Sequence, residues 1–230
     1  MKHVVSLSGG KDSTAMLLMM LERGMQVDYV VFVDTTKEFP QVYRHIEKLE
    51  KYISPLKITR LSFDYDYYFE TRELTKGKRK GERGYGFPSI RSRWCTSLKR
   101  ETIKKFIKSL GDVTQYFGIA YDEKRRAKER PGVVYPLVEW RVTERQALEY
   151  CYSKGFNWEG LYEIIPRTGC YCCPFMSLKR LKTIYTHFPD LWQKIRDMQD
   201  RSRNKFRIDY SVYDLEKMFR ESYRKGGDES

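Results

Sequence analysis

From Lys2 to Leu7 the chain is a short, mostly apolar run that ends at a glycine pair, the pattern of a short strand buried on both faces. Ser13 to Leu21 then reads as a helix of small and apolar residues, stopped by Gly24. The same order returns with Tyr29 to Val33, an apolar run closed by Asp34-Thr35-Thr36, and with Gln41 to Tyr52, where Val42, Ile46 and Leu49 stand at helical spacing. Leu56 to Leu61 predicts a third strand and Val113 to Ile119 a fourth. The helix before the fourth, Leu98 to Leu110, puts Ile103, Phe106, Ile107 and Leu110 on one face. Val133 to Leu137 is a further short extended piece, and Thr143 is placed to cap a helix that runs to Ser153 and ends at Gly155. Strands alternating with helices predict an α/β fold, an open parallel sheet of about five strands with helices on both faces. From Ser177 onward the pattern is amphipathic and helical, without a strand signal.

Two polar stretches interrupt this order. Thr75 to Ser89 holds five Gly or Pro residues and the cluster Lys76, Lys78, Arg79, Lys80 and Arg83, and reads as a mobile basic loop. Asp122 to Arg130 is a second charged stretch, closed by Pro131-Gly132. Over the whole chain 44 Lys and Arg face 31 Asp and Glu, a net charge of +13 that favours anionic partners. Among the 230 residues, 40% are hydrophobic and no apolar run approaches the roughly 20 residues of a spanning helix. The expectation is a soluble protein without membrane contact. Met1-Lys2-His3 leads straight into the first strand, too short an apolar run for an export signal, so a cytoplasmic location is expected.

The turn Ser8-Gly9-Gly10-Lys11-Asp12-Ser13 joins the first strand to the first helix. Paired glycines let a backbone approach a ligand closely, and the unsatisfied amides at a helix start favour an anion. Ser8 and Ser13 add hydroxyl donors, Lys11 a cation and Asp12 a carboxylate suited to Mg²⁺ beside phosphates. The Walker A spacing is absent. This hexapeptide resembles the pyrophosphate loop of the adenine-nucleotide alpha-hydrolase superfamily, of HUP or Rossmann-like fold, whose members cleave ATP between the α and β phosphates. Further segments resemble one branch, the phosphoadenosine phosphosulfate reductase family. Asp34 to Pro40 is similar to its D-T-G-x-E-x-P, Gly118-Ile119 with Glu123 to its G-I-R-x-x-E, Pro136-Leu137 and Trp140 to its P-L-x-x-W, and Arg167 to Cys170 to its R-S-G-C. The resemblance implies an adenine-nucleotide-binding domain over residues 1–175 followed by a helical extension over 176–230. It also implies that Val33, Asp34 and Thr35 lie by the adenine, with Gly118 nearby.

The departures narrow the reading. Ala120, Lys124 and Ala127 stand where that family has Arg, Ser and Arg, although Arg125 and Arg126 are adjacent. Thioredoxin-dependent reductases carry a nucleophilic Cys in a tail motif E-C-G-L-H, whereas the last cysteine here is Cys173 and Tyr223 to Gly227 holds none. Family reductases also carry a degenerate phosphate loop, and this chain keeps the form found in ATP-cleaving relatives.

Five cysteines without an export signal point away from a disulfide framework. Cys95 opens a helix, and Cys170, Cys172 and Cys173 follow 75 to 78 residues later, while Cys151 reads as a core residue. The C-x-x-C pair with a distant third Cys resembles the iron–sulfur site of sulfur-transfer enzymes in the superfamily. The resemblance implies a 4Fe–4S cluster on Cys95, Cys170 and Cys173 with one iron left free, or with Cys172 as the fourth ligand, and zinc is the alternative metal. The basic stretches and tyrosines leave room for a nucleic-acid acceptor, tRNA or DNA. The expected reaction is ATP-dependent adenylylation for sulfur transfer, releasing AMP and pyrophosphate, with Lys11, Asp12, Arg125 and Arg126 in catalytic roles. Sulfonucleotide reduction and a non-catalytic nucleotide- or DNA-binding regulator are the alternatives.

Overall fold

The computed structural model describes residues 1–226, with side chains through residue 222, so the cysteine-free tail from Tyr223 to Gly227 lies outside the described side chains. In chain order the strands are β1 (Lys2–Leu7), β2 (Tyr29–Asp34), β3 (Ile58–Ser62), β4 (Val113–Phe117) and β5 (Val133–Val134). The helices are α1 (Lys11–Glu22), α2 (Pro40–Tyr52), α3 (Trp94–Leu110), α4 (Pro136–Glu139), α5 (Glu144–Ser153), α6 (Leu161–Ile164), α7 (Leu178–His187), α8 (Pro189–Arg201) and α9 (Val212–Gly226). They group into two compact units that interleave along the sequence: residues 1–63 with 98–169, and residues 64–97 with 170–230.

The first unit is the α/β fold read from the sequence. Its five strands form one parallel sheet in the order β3-β2-β1-β4-β5. The chain steps outward from β1 to β3, then returns to the other side of β1. Right-handed crossovers put the connections of the two directions on opposite faces of the sheet. The burial of β2 agrees, because Val30, Val31, Phe32 and Val33 are all buried although they point alternately to the two faces. Several element ends differ from the sequence reading, including the starts of β3 and α3, at Ile58 and Trp94 rather than Leu56 and Leu98. β4 stops at Phe117, and Pro136 converts the expected extended piece into the start of α4, since its fixed φ suits a first helical turn and it offers no ladder donor. Thr143 caps α5 as read, with a full capping box to Gln146.

The second unit holds the cysteine segment, the basic stretch and the helices α7 to α9, packed around Trp192, Ile195, Met198, Phe206, Leu215 and Phe219. Its basic stretch is more ordered than its composition implies. Leu74 and Glu82 are joined by a backbone hydrogen bond, Glu73 bridges Arg83, and the amides of Gly84, Tyr85 and Gly86 bond back to Arg72, Tyr68 and Phe69. Glycines make this close return possible: a Cβ on Gly84, at φ +75°, would fall 2.4 Å from the Phe69 carbonyl oxygen. Among the described residues no helix is long and apolar enough to cross a membrane.

Candidate functional site

Between the end of β1 and the start of α1 only Ser8, Gly9 and Gly10 are available to reverse the chain. Gly9 adopts φ +76°, and a Cβ there would lie 2.7 Å from Val42 Cγ1, so both conformation and space demand glycine. Gly10 is the N-cap and provides no side-chain cap to α1. The serine hydroxyls brace the turn instead: Ser8 and Ser13 Oγ are 2.9 Å apart, the Gly10 amide donates to Ser8 Oγ at 3.3 Å, and Ser13 Oγ donates to the Gly10 carbonyl at 3.1 Å. The result is a helix N-terminus with its dipole aimed into the space above the turn.

Side chains from far along the chain hold this turn from below. Trp158 Nε1 donates to the Gly9 carbonyl at 2.8 Å, the Lys11 amide donates to the Tyr162 hydroxyl at 2.8 Å, and Cys151 Sγ donates to the Lys11 carbonyl at 3.4 Å. Cys151 is the core residue its position implied, and burial pushes its thiol up to about 12. His45 Nε2 lies 2.9 Å from Thr14 Oγ1, and its ring stacks on Trp158 at 4.1 Å between centroids. Burial, aided by Lys48, lowers its pKa from the ordinary 6.5 to about 3. The unfolded chain therefore takes up a proton that the folded chain refuses between those values. This contribution to stability is complete above about pH 6.5 and declines as pH falls toward 3. Thermal unfolding of His45→Gln should show a flatter fall of the midpoint from pH 6.5 to 4 than wild type, and parallel curves would refute it.

Above the turn is a cavity of about 250 Å³, lined by Ser8, Gly10, Lys11 and Asp12 and by Gly118, Glu123 and Arg126 from the segment after β4. Tyr162, Arg167 and Thr168 complete it. β1 and β4 are the neighbours at which the strand order reverses, and open α/β sheets bind ligands at that switch point, outside the carboxyl ends of the strands. Charge in the cavity is paired throughout. Lys11 Nζ, on a side chain only 6% exposed, lies 3.0 Å from Glu144 Oε2 and 3.2 Å from Asp12 Oδ2. Arg167 reaches both Glu123 carboxylate oxygens at 2.7 Å and Glu144 at 3.5 Å, and Arg126 pairs with the same Glu123. Although burial opposes its charged form, Glu123 is held below the usual carboxylate range by Arg167 and Arg126. Asp12 shifts the other way: burial raises it, and the opposing Lys11 ammonium does not cancel that. Its Oδ1 is buried without a hydrogen-bond partner, a cost that a bound cation would remove.

Of the residues singled out from the sequence, Ser8, Gly10, Lys11, Asp12, Gly118 and Arg126 meet at this cavity. Arg125 is exposed and is not among the lining side chains. Its place as a cavity cation is taken by Arg167, which the sequence marked only as part of a family motif. Val33, Asp34 and Thr35 stand at the end of β2, beside β1, but do not line the cavity. Asp34 Oδ1 accepts from the Thr36 amide at 2.7 Å and the Tyr43 hydroxyl at 2.8 Å, and Thr35 Oγ1 donates to Glu38 at 3.1 Å. Glu144 and Tyr162 had carried no signal, because their roles arise only when distant segments fold together.

The four clustered cysteines belong to the second unit. The Cys173 amide donates to the Cys170 carbonyl at 3.3 Å, closing a turn around the C-x-x-C pair. Cys172 is buried and its Sγ is 4.0 Å from the Tyr65 hydroxyl. Burial, together with the charges of Cys172, Cys95 and Cys170, drives the Tyr65 hydroxyl far above its ordinary range, so three thiols act on one buried phenol. Among the described residues no group of three or more His, Cys, Asp or Glu is arranged to hold a metal ion. No disulfide forms among them either.

The model of the phosphoadenosine phosphosulfate reductase domain matches residues 2–176, three quarters of the chain. The chain belongs to that family. Membership agrees with the adenine-nucleotide alpha-hydrolase-like fold of the first unit and with the motifs at Ser8 to Ser13 and Asp34 to Pro40. Relatives include protein MJ0066 of Methanocaldococcus jannaschii, 29% identical over 214 residues, which are 83% of this chain and 40% of that protein. The nin region protein ORF290 of Escherichia phage lambda is 29% identical over 156 residues, 59% of this chain and 53% of its own length. The chain thus spans about half or less of these curated relatives. Among solved structures, the U34-tRNA thiolase NcsA from Methanococcus maripaludis, determined with its 4Fe–4S cluster, aligns over 87% of this chain and 71% of its own, at 13% identity and a TM-score of 0.44.

Proposed function

We propose that this family member binds Mg-ATP on Ser8 to Ser13 and cleaves it between the α and β phosphates, adenylylating an acceptor oxygen that a sulfur nucleophile then displaces. An acceptor oxygen forms a bond to the α phosphorus, the bond to the bridging oxygen breaks, and pyrophosphate leaves. Sulfur attack on the activated carbon then expels AMP. The observation that carries this reading is the buried Lys11 next to a buried Asp12 Oδ1 that has no partner, at the start of α1. Asp12 fits a Mg²⁺ site because that ion takes one or two carboxylates and completes its shell with phosphate oxygens and water. When bound, the ion would neutralise charge on the pyrophosphate leaving group. Mg-ATP would also loosen the ion pairs that now occupy Lys11, Arg126 and Arg167, turning all three toward the phosphates. Chromatography of the products checks the bond cleaved: AMP and pyrophosphate are expected, and inorganic phosphate as the sole product overturns the proposal.

Donor chemistry supports a 4Fe–4S cluster, since the set is all thiol and Cys95, Cys170 and Cys172 share one neighbourhood around Tyr65. A bound cluster would supply an iron-held sulfur or electrons. Protein purified without oxygen should contain iron and absorb near the visible, and Cys170→Ser should lose most of that iron while Cys151→Ser keeps it. Stoichiometric zinc in place of iron would redirect the reading to a structural metal, and absence of both would reject it. Sulfonucleotide reduction is favoured by the family match itself. Its mark is sulfite formed from a sulfonucleotide and a thiol donor, without pyrophosphate.

A further inference from the structure

The second unit carries a groove of about 850 Å³, against about 250 Å³ for the cavity over the phosphate loop. Its floor is aromatic. Phe87 and Phe206 are buried and meet edge to face at 4.9 Å between centroids. Ile90, Phe175 and Ile208 line it while remaining 76%, 42% and 80% exposed, an apolar surface of the kind that marks an interaction site. The Arg93 guanidinium lies 5.0 Å from the centroid of the Phe175 ring. The rim is cationic, with Lys76, Lys78 and Arg91 among its residues, and among the described residues no Asp or Glu lines the groove. Among the described residues those three cations are exposed and engaged in no ion pair. The walls are built rather than loose: Asn204 Nδ2 donates to the Phe87 carbonyl and Trp94 Nε1 to the Gly86 carbonyl, each at 3.0 Å.

An aromatic floor under an acid-free cationic rim is a combination with one well-matched occupant. A neutral apolar peptide has no use for the cations. An acidic peptide has little use for the rings, and a duplex keeps its bases stacked away from them. Unstacked bases have flat faces for Phe175 and a phosphate at every step for the rim. We infer that this groove binds a single-stranded nucleic-acid segment, with bases on the apolar floor and phosphates on Lys76, Lys78 and Arg91. Pro174 and Phe175 directly follow Cys173, and Arg91 precedes Cys95 by four residues, so the groove is built from the same two segments that carry the cysteines. The inference concerns the second unit alone and does not depend on ATP cleavage.

Fluorescence anisotropy without ATP tests it, using labelled mixed-sequence RNA and DNA strands of about 12 nucleotides and a duplex of the same length. Single strands should bind more tightly than the duplex. Lys76→Ala/Lys78→Ala/Arg91→Ala should weaken binding at least tenfold and reduce the slope of log K against log salt by about 2, from three lost phosphate contacts. Phe175→Ala should weaken binding by roughly tenfold with the slope unchanged. The side chains of Lys76, Lys78, Arg91 and Phe175 are exposed, so the fold is expected to survive their substitution, and equal thermal midpoints would confirm it. Lys11→Ala should bind strands as wild type does, which separates failure of this inference from failure of the ATP reading. Equal binding of duplex and single strand, wild-type binding by Phe175→Ala, displacement by polyglutamate at equal charge, or no binding at low salt would each overturn it.

Discussion

Lys11→Ala should lower pyrophosphate release from ATP by about 10²- to 10³-fold, the usual cost of removing one preorganised charge from a transition state of this kind. The expected loss is large because Lys11 is more than an added cation. Its ammonium sits at 3.0 Å from Glu144 and 3.2 Å from Asp12, on a side chain 6% exposed. Without it, Asp12 loses its ion-pair partner and still faces the charges of Glu144 and Glu123, and burial already raises its pKa. Incoming phosphates would meet carboxylates where they now meet an ammonium. Glu144→Gln is the informative companion, because it removes a partner of Lys11 without removing the cation, and its effect should be several-fold at most. Product formation and ATP affinity, measured on both variants, check the prediction. Rates within twofold of wild type for Lys11→Ala would show that this turn is not the phosphate site.

The elements that periodicity defines were legible in advance, and those that arise from convergence were not. β1 to β4 and α1, α2 and α5 follow from apolar runs, capping residues and stops, and the parallel sheet follows from their alternation. The turn at Ser8 was legible because every residue in it has a local reason to be there. The cations of the cavity show where such reading ends. Arg125 and Arg126 are equivalent as sequence, but Tyr121–Arg126 is a 3₁₀ helix, in which successive residues point about 120° apart, so only Arg126 lines the cavity. Glu144 and Tyr162 reach the turn from more than 130 residues away, with Arg167 paired to Glu144, and no periodicity within their own segments reports that. Composition also misjudged the basic stretch. Its glycines were read as freedom, whereas at Gly84 and Gly86 they allow the backbone to pass close to Phe69 and Asn204.

Gly118→Ala should reduce both ATP affinity and pyrophosphate release, with a combined loss of about 10²-fold, although it adds a single methyl group at a position with no charge. A Cβ on Gly118 would lie 2.6 Å from Ser13 Cα, 2.7 Å from the Ser13 amide nitrogen and 2.9 Å from the Asp12 carbonyl carbon. All three contacts are backbone, so no side chain can swing aside to relieve them. Neither partner is free to yield. Phe117 is in register with Ser6 of the sheet, and the start of α1 is held by Trp158, Tyr162 and Cys151. The strain must separate the end of β4 from the start of α1, which widens the gap between Lys11 and Asp12 on one side and Arg126 and Glu123 on the other. Displacement of catalytic groups by about 1 Å costs on the order of 10²-fold in rate, while overpacking costs about 1–3 kcal/mol in stability. The two effects are separable by titrating ATP calorimetrically well below the variant's own thermal midpoint. Wild-type affinity and rate in a variant that is merely less stable would place the nucleotide somewhere other than between β1 and β4.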